Sequence, residues 1–183
     1  MKLTRNTAIA LFRNLGQSAL GHLDDATLTT VMSNFNALQK VADDFESLKK
    51  ELFKRIYGDA EKMTEDEKKR LNDFFKAIAK MEKADRESIK ELDAALNATY
   101  PDLYEMRQKE VKVLLTLLDK EIEADIELVD ADAFVAGIAK GAKDAKLAEI
   151  RLAFTPMFRK AKEEEKAKED FSELDSLLED KNV

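Results

Sequence analysis

Apolar side chains recur every three or four residues along most of this chain, the spacing that gathers them on one face of an α-helix. Between Arg5 and Leu20 the positions are Ala8, Ile9, Phe12, Leu15 and Ala19, and Gly21-His22 reads as the stop. Asp24 and Asp25 offer N-caps for a longer run: Leu28, Val31, Met32, Phe35, Leu38, Val41, Ala42, Phe45, Leu48, Leu52 and Ile56. That stripe predicts one helix from Asp25 to Tyr57, roughly 50 Å long at 1.5 Å per residue, ended by Gly58-Asp59.

Thr64-Glu65-Asp66-Glu67 has the form of a capping box, in which the Thr hydroxyl and the Glu carboxylate satisfy each other's backbone amides. The stripe behind it, Leu71, Phe74, Phe75, Ile78, Met81, Ile89, Leu92 and Leu96, predicts a helix to Ala98, thinning where Ala84 and Asp85 fall at inward positions. A short loop joins this helix to the one before, so the two are expected to pack antiparallel. Thr99-Tyr100-Pro101-Asp102 opens another helix, carrying Leu103, Met106, Val111, Leu114, Leu115 and Leu118.

The period then drops to two. From Glu121 to Leu128 acidic and apolar residues alternate, which predicts a half-buried strand with Ile122, Ala124, Ile126 and Leu128 inward. One strand is not stable alone, so a partner is required. Met1-Lys2-Leu3-Thr4 is preferred over the same strand of another subunit. Beyond Asp132, read as a cap, Phe134, Val135 and Ile138 begin a short helix that Gly141 ends or bends. Leu147, Ile150, Leu152, Ala153 and Phe154 form another, stopped at Thr155-Pro156. The expected fold is mainly α: a long antiparallel helical hairpin in a bundle, shorter helices, and at most a two-stranded element pairing Met1–Thr4 with Ile122–Leu128. Residues 1–159 read as a helical domain. Residues 160–183 read as a charged linker, free to be flexible, and a short amphipathic helix.

Composition sharpens this picture. Only 5 of 183 residues are Gly and 2 are Pro, too few for the turns of a strand-rich domain. The absence of Cys removes disulfides, thiolate nucleophiles and Cys-ligated metals, and a single His removes most His-based sites. Net charge is −7, and no stretch has the Lys/Arg excess that a phosphate backbone demands. Direct nucleic-acid binding is not expected. The longest early apolar run, Ala8 to Phe12, is far short of the roughly 20 residues of a membrane span, and no signal-peptide core is evident. A cytoplasmic location with no membrane partner is the expectation.

Candidate chemistry is sparse. His22 lies just past a helix end and reads as a cap or surface residue, since no Ser, Thr or acid is spaced to serve it. The acids Asp119, Glu121, Glu123, Asp125, Glu127, Asp130 and Asp132 lack an EF-hand pattern, and the alternation accounts for four of them as a solvated strand face. A di-iron bundle needs Glu-x-x-His, which the Ala19…His22 spacing does not supply. No Gly-rich phosphate loop is present. The carboxylate candidates Asp43 with Asp44, and Glu51 with Asp73, fall on charged helix faces. Phe35, Phe45, Phe53, Phe74 and Phe75 read as core rather than pocket. No catalytic, cofactor-binding or metal site is therefore assigned. The remaining feature is Phe171, Leu174, Leu177 and Leu178, one apolar helical face among six acids, which suits docking on a protein partner or folding back on its own bundle.

The opening Met1-Lys2-Leu3-Thr4, the stripe ending Leu52-Phe53-Lys54-Arg55-Ile56-Tyr57-Gly58, and Ile122-Glu123-Ala124-Asp125-Ile126-Glu127-Leu128 with a short helical end resemble a family of small uncharacterised proteins of tailed bacteriophages and prophages. The resemblance covers roughly residues 1–58 and 114–158. Thr64–Ala98 and the tail after Lys160 stand as additions to its pattern. It implies a host-cytoplasmic phage protein made with the virion-assembly genes, and the family brings no catalytic residues.

The expectation is a non-enzymatic protein acting by protein–protein contact, as a virion-assembly factor or minor component, with partners that include a second copy of itself. The alternative is an acidic inhibitor or anti-defence protein covering a basic nucleic-acid site on a host factor. A carboxylate-and-metal enzyme is the third reading.

Overall fold

The computed structural model describes residues 1–142 and 146–159. Along the chain run β1 (Lys2–Thr4), α1 (Arg5–Gln17), a 3-10 turn at Leu20–His22, α2 (Asp25–Tyr57), α3 (Glu65–Met81), α4 (Arg86–Thr99) and α5 (Pro101–Asp119). There follow β2 (Glu121–Glu123), α6 (Ala131–Gly141), α7 (Leu147–Phe154) and a second 3-10 turn at Thr155–Met157. The protein is mainly α with one small antiparallel sheet, as the hydrophobic pattern predicts. The chain divides into two compact units. Among the described residues, one comprises Met1, Leu11–Ala37 and those from Asp125 to Arg159; the other comprises Lys2–Ala10 and Leu38–Ala124.

Helix starts follow local side-chain chemistry. The Asp24 carboxylate accepts from the Thr27 amide (2.9 Å) and the Thr27 hydroxyl (2.7 Å), and these bonds hold its pKa below the ordinary value. The capping box forms as expected, with the Thr64 hydroxyl accepting from the Glu67 amide and Glu67 accepting from the Thr64 amide. Gly58, at φ 96°, ends α2 in the left-handed region that favours glycine.

In the unit built on Leu38–Ala124, β1 pairs antiparallel with β2, Leu3 opposite Ile122. The Arg5 amide donates to the Lys120 carbonyl (3.0 Å) and its guanidinium to the Leu117 carbonyl (2.6 Å). The start of α1 is thus tied to the end of α5. The core gathers Phe74, Ile78, Leu96 and Leu103, with Tyr57, Leu71, Phe75 and Tyr100 packed against them.

Two expectations are corrected here. The helix predicted over Thr64–Ala98 is two helices. Asp85 occupies no inward position; it caps α4, accepting from the amides of Glu87 (3.1 Å) and Ser88 (2.9 Å). A capping carboxylate at a break explains why the stripe thins there. The ladder is also shorter than the alternation, because pairing stops at Glu123. Ala124 and Ile126 point inward as expected, but Leu128 is 39% exposed.

In the other unit the extended chain after β2 is held by side chain and backbone together. Asn34, on the inward face of α2 between Val31 and Leu38, is fully buried. Its amide nitrogen donates to the Glu127 carbonyl (2.8 Å), and its carbonyl accepts from the Glu127 amide (2.9 Å). One side chain therefore supplies both bonds that a neighbouring strand would give. Two residues on, the Val129 amide donates to the Met157 carbonyl (2.9 Å) and the Val129 carbonyl accepts from the Arg159 amide (3.1 Å). Met32, placed on the apolar stripe by its spacing, is 43% exposed; Asn34 holds the inward position instead.

The cap of α6 is Asp130, which accepts from the Ala133 amide (2.9 Å), rather than Asp132, which pairs with Arg151. α6 packs closely on the Leu20–His22 turn through Gly137 and Gly141. A Cβ on Gly137 would lie 2.5 Å from Leu23 Cδ2, and one on Gly141 would lie 2.3 Å from Ala19 Cβ. Gly141 is the last residue of α6, ending it as expected, and its missing Cβ also permits this close approach. Phe134 stacks edge-on with Phe154 at 4.9 Å.

Asn34→Leu removes both part-buried hydrogen bonds to the Glu127 amide and carbonyl, which costs at most about 1–3 kcal/mol per group. The urea midpoint of the variant is expected to fall accordingly. An unchanged midpoint would mean that the segment is held without this side chain. Gly141→Ala is expected to lose about 1–3 kcal/mol through overpacking against Ala19, measured in the same way.

Candidate functional site

In the unit built on Leu38–Ala124, the last turns of α2 bring Phe53 and Tyr57 against Phe75 of α3, at ring separations of 5.8 Å and 5.4 Å. This wall turns the Tyr57 hydroxyl toward α5. There it donates to Glu110 Oε2 (3.0 Å), and the same oxygen accepts from Arg107 Nη1 (2.7 Å). Glu110 is buried, and Arg107, one turn earlier on α5, supplies its compensating charge. Burial, then the neighbouring Glu110 charge, pushes the Tyr57 phenol well above its ordinary pKa. Tyr57 is therefore held as the neutral donor to Glu110.

Beside this cluster Arg70 of α3 grips Asp102, in the first turn of α5, through both guanidinium nitrogens, and lies 5.8 Å from the Tyr100 ring centroid. The Arg70 hydrogen bonds draw the Asp102 carboxyl down to about 2. Both side chains are about half exposed, so solvent screens the pair and its contribution to stability is small. Tyr57, Met63, Leu71, Leu103 and Met106, with Arg70 and Asp102 at its polar edge, line a cleft of about 180 Å³. That is below the roughly 300 Å³ at which small-molecule sites begin. It has room for a single inserted side chain. Its polar groups are all committed: Arg70 to Asp102, Tyr57 to Glu110, and Glu67 to the cap of α3.

In the other unit, α7 buries Phe154 and half-buries Ile150 but leaves Leu147 56% and Leu152 77% exposed. At about 100° per residue, Leu152 lies opposite the side that Ile150 and Phe154 turn inward, whereas Leu147 stands at the border of that side, about 140° from Leu152. Leu152 is the most exposed of the large apolar side chains among the described residues.

The residues singled out by sequence are distributed as follows. Phe171, Leu174, Leu177 and Leu178 lie outside the described residues. His22 is exposed in its 3-10 turn, its ring carbon 3.0 Å from where a Cβ on Gly141 would stand. Glu121, Glu123, Asp125 and Glu127 are exposed, and among the described residues no three acidic or His side chains converge as metal ligands would. Asp43 and Asp44 face solvent; Glu51 pairs with Arg55 and Asp73 with Lys76. Phe45 and Phe74 are buried, while Phe35, Phe53 and Phe75 are half-buried in packing contacts. Sequence reasoning missed Asn34 and Glu110. Each is a polar residue at an apolar-stripe spacing, and that interruption was the available signal.

The chain matches no family model, no curated protein and no solved structure.

The Tyr57 phenol has a raised folded-state pKa, so its contribution to stability is fully present below about pH 10 and is lost as pH rises toward the folded value. The wild-type urea midpoint is therefore expected to fall more between about pH 8 and pH 11 than that of Tyr57→Phe. Equal falls would mean that the phenol is not held in the way described. Asp102 behaves oppositely. Its contribution is present above about pH 4 and lost as pH falls through about 2, so the small gap between wild type and Asp102→Asn should close in that window.

Proposed function

We propose that this is a non-enzymatic protein whose work is contact with other proteins, as a virion-assembly factor or minor structural component of a phage or prophage. The observation that carries the contact reading is the exposed apolar surface of α7, where Leu147 and Leu152 stand in solvent on a helix fixed from beneath by Phe154. Burying a leucine side chain contributes about 1.5–3 kcal/mol, so a partner that covers both gains substantially. The polar interior points the same way. Among the described residues, no buried side-chain nitrogen or oxygen lacks a partner, and Asn34 and Glu110 are spent on holding the fold. The phage setting is supported by the likeness of Met1-Lys2-Leu3-Thr4, Leu52–Gly58 and Ile122–Leu128 to that family's pattern. In this reading Phe171, Leu174, Leu177 and Leu178 form a second apolar contact, and a homo-oligomer is among the assemblies it allows.

A second reading rests on the exposed carboxylates of Glu121, Glu123, Asp125 and Glu127. It makes the protein an acidic inhibitor that occupies a basic nucleic-acid site on a host factor. Long-range attraction of that kind weakens as salt rises, whereas contact through leucines does not.

The test is affinity capture from the native host with the wild-type chain, Leu152→Glu, and a variant with Glu at Leu174 and Leu177. Leu152→Glu is expected to reduce recovery of a specific partner at least tenfold, about 1.4 kcal/mol, with little dependence on salt. Recovery that ignores both variants but collapses with salt favours the inhibitor reading and sinks the one proposed.

A further inference from the structure

In the unit built on Leu38–Ala124, the chain turns from α3 into α4 at a link that contains no helix breaker. Gly58 stops α2, but between Met81 and Arg86 stand only Glu82, Lys83, Ala84 and Asp85. Glu, Lys and Ala are strong helix formers. The backbone there is already close to helical. Glu82 has φ −62° and ψ −21°, and the amides of Lys83 and Ala84 donate to the carbonyls of Lys80 (3.3 Å) and Met81 (3.1 Å). Asp85 makes the bend. Its backbone is extended, at φ −70° and ψ 165°, while its carboxylate caps α4 through the Glu87 and Ser88 amides.

The apolar rows on either side of the bend are in phase. At about 100° per residue, a helix run straight through residues 65–99 brings Phe74, Ile78, Ile89, Leu92 and Leu96 within about 60° of one another, with Asp85 among them. In the bent form α4 uses only part of its row. Leu96 joins the core with Phe74, Ile78 and Leu103, while Ile89 and Leu92 are left 37% and 36% exposed. Phe74 of α3 meets the Tyr100 ring at the far end of α4 (5.8 Å), and the link joins the opposite ends, so the two helices lie antiparallel. Two straightened copies laid antiparallel about a two-fold axis at the link keep that arrangement, with α4 of each on α3 of the other.

We propose that residues 82–85 are a hinge that opens into continuous helix, and that a second copy of this chain then supplies the α4 that packs on α3, forming an exchanged dimer. Everything after the hinge goes with it. Leu3 with Ile122, Tyr57 with Glu110 and Asn34 with Glu127 are then paired between chains. Only a second copy carries that whole set of groups, which identifies the occupant. Asp85 sets the balance in two ways. In the bent chain its carboxylate is a cap; in the exchanged dimer it stands mid-helix without that task, and the two Asp85 carboxylates meet near the two-fold axis. Such a dimer deepens the contact reading, on which only its purpose rests. Its geometry uses neither α7 nor an outside partner.

Sedimentation of the purified full-length chain, brought to equilibrium at rising concentration, reads the balance. Asp85→Ala is expected to tighten the dimer at least tenfold, about 1.4 kcal/mol. Lys83→Gly/Ala84→Gly is expected to weaken it at least tenfold, because glycine disfavours the straight helix. Connectivity is read separately. The chain has no Cys, and Lys2 and Glu123 are exposed Cα partners in the sheet, one before the hinge and one after it, at a separation a disulfide can bridge. In Lys2→Cys/Glu123→Cys the dimer fraction is expected to oxidise to covalent dimers on a non-reducing gel, and the monomer fraction to close within one chain. Leu152→Glu is expected to leave the dimer unchanged, which separates this result from the capture experiment. Dimers that close within one chain overturn the exchange, as does a dissociation constant that neither hinge substitution moves. So does a monomer at every concentration in the wild type and Asp85→Ala alike, or a dimer that Leu152→Glu abolishes.

Discussion

The paired hydrogen bonds between Asn34 and the backbone of Glu127 fix the unit in which they lie. After β2 the chain must remain extended across a helical face, and an extended backbone beside a helix has no ladder to satisfy it. Leaving a part-buried amide or carbonyl unpaired costs up to about 1–3 kcal/mol, which weighs on a segment whose own buried apolar side chains are Ile126 and Val129. An asparagine side chain carries a donor and an acceptor at the spacing of a peptide group, so it can stand in for a strand. Once Glu127 is held, Val129 comes into register with Met157 and Arg159, Asp130 reaches the cap of α6, and Phe134 can stack on Phe154.

The other unit meets a different demand with the same economy of polar groups. A buried carboxylate is tolerable only with a compensating charge and filled acceptor sites, and Glu110 has Arg107 and the Tyr57 hydroxyl on one oxygen. Tyr57 joins the two jobs, its ring packing on Phe75 while its hydroxyl closes the cluster. That dual role is why α2 cannot slide against α5 without exposing an ion or stranding a phenol. The cleft beside it, apolar below and edged by a spent ion pair, is a consequence of this packing.

Helical segments and most of their caps were legible because they are local. The Thr64…Glu67 box and the stop at Gly58 follow from a few residues each, and the long-range pairing of Lys2–Thr4 with Glu121–Glu123 was legible because a lone alternating strand needs a partner. The break at Asp85 was written in the sequence as a thinning of the stripe, yet an acid at an inward spacing reads equally as a cap or as an interruption, and only the chain path decides. Asn34 was hidden for a related reason. Met32 and Phe35 satisfy the same three-four spacing as Val31 and Leu38, and periodicity alone does not say which of two adjacent rows faces inward. Asp130 and Asp132 posed the same choice two residues apart. The candidate contact on α7 was not legible at all, since Leu147 and Leu152 look like core positions until the helix is seen to bury Phe154 instead.

That last point bears on what kind of surface a short helix makes. Eight residues give barely two turns, and an isolated helix of that length is unstable in water, so α7 persists only because Phe154 and Ile150 are held from one side. A leucine on the other side contributes nothing to that anchoring and costs solubility. Leu152 is most exposed where the fold has least use for it. A surface leucine standing singly is ordinary, and Leu147 and Leu152, about 140° apart around the helix, stand singly in this sense. Among the described residues, then, the buried side-chain nitrogens and oxygens are spent on the fold, while Leu147 and Leu152 are left to solvent by a helix too short to bury more than one side.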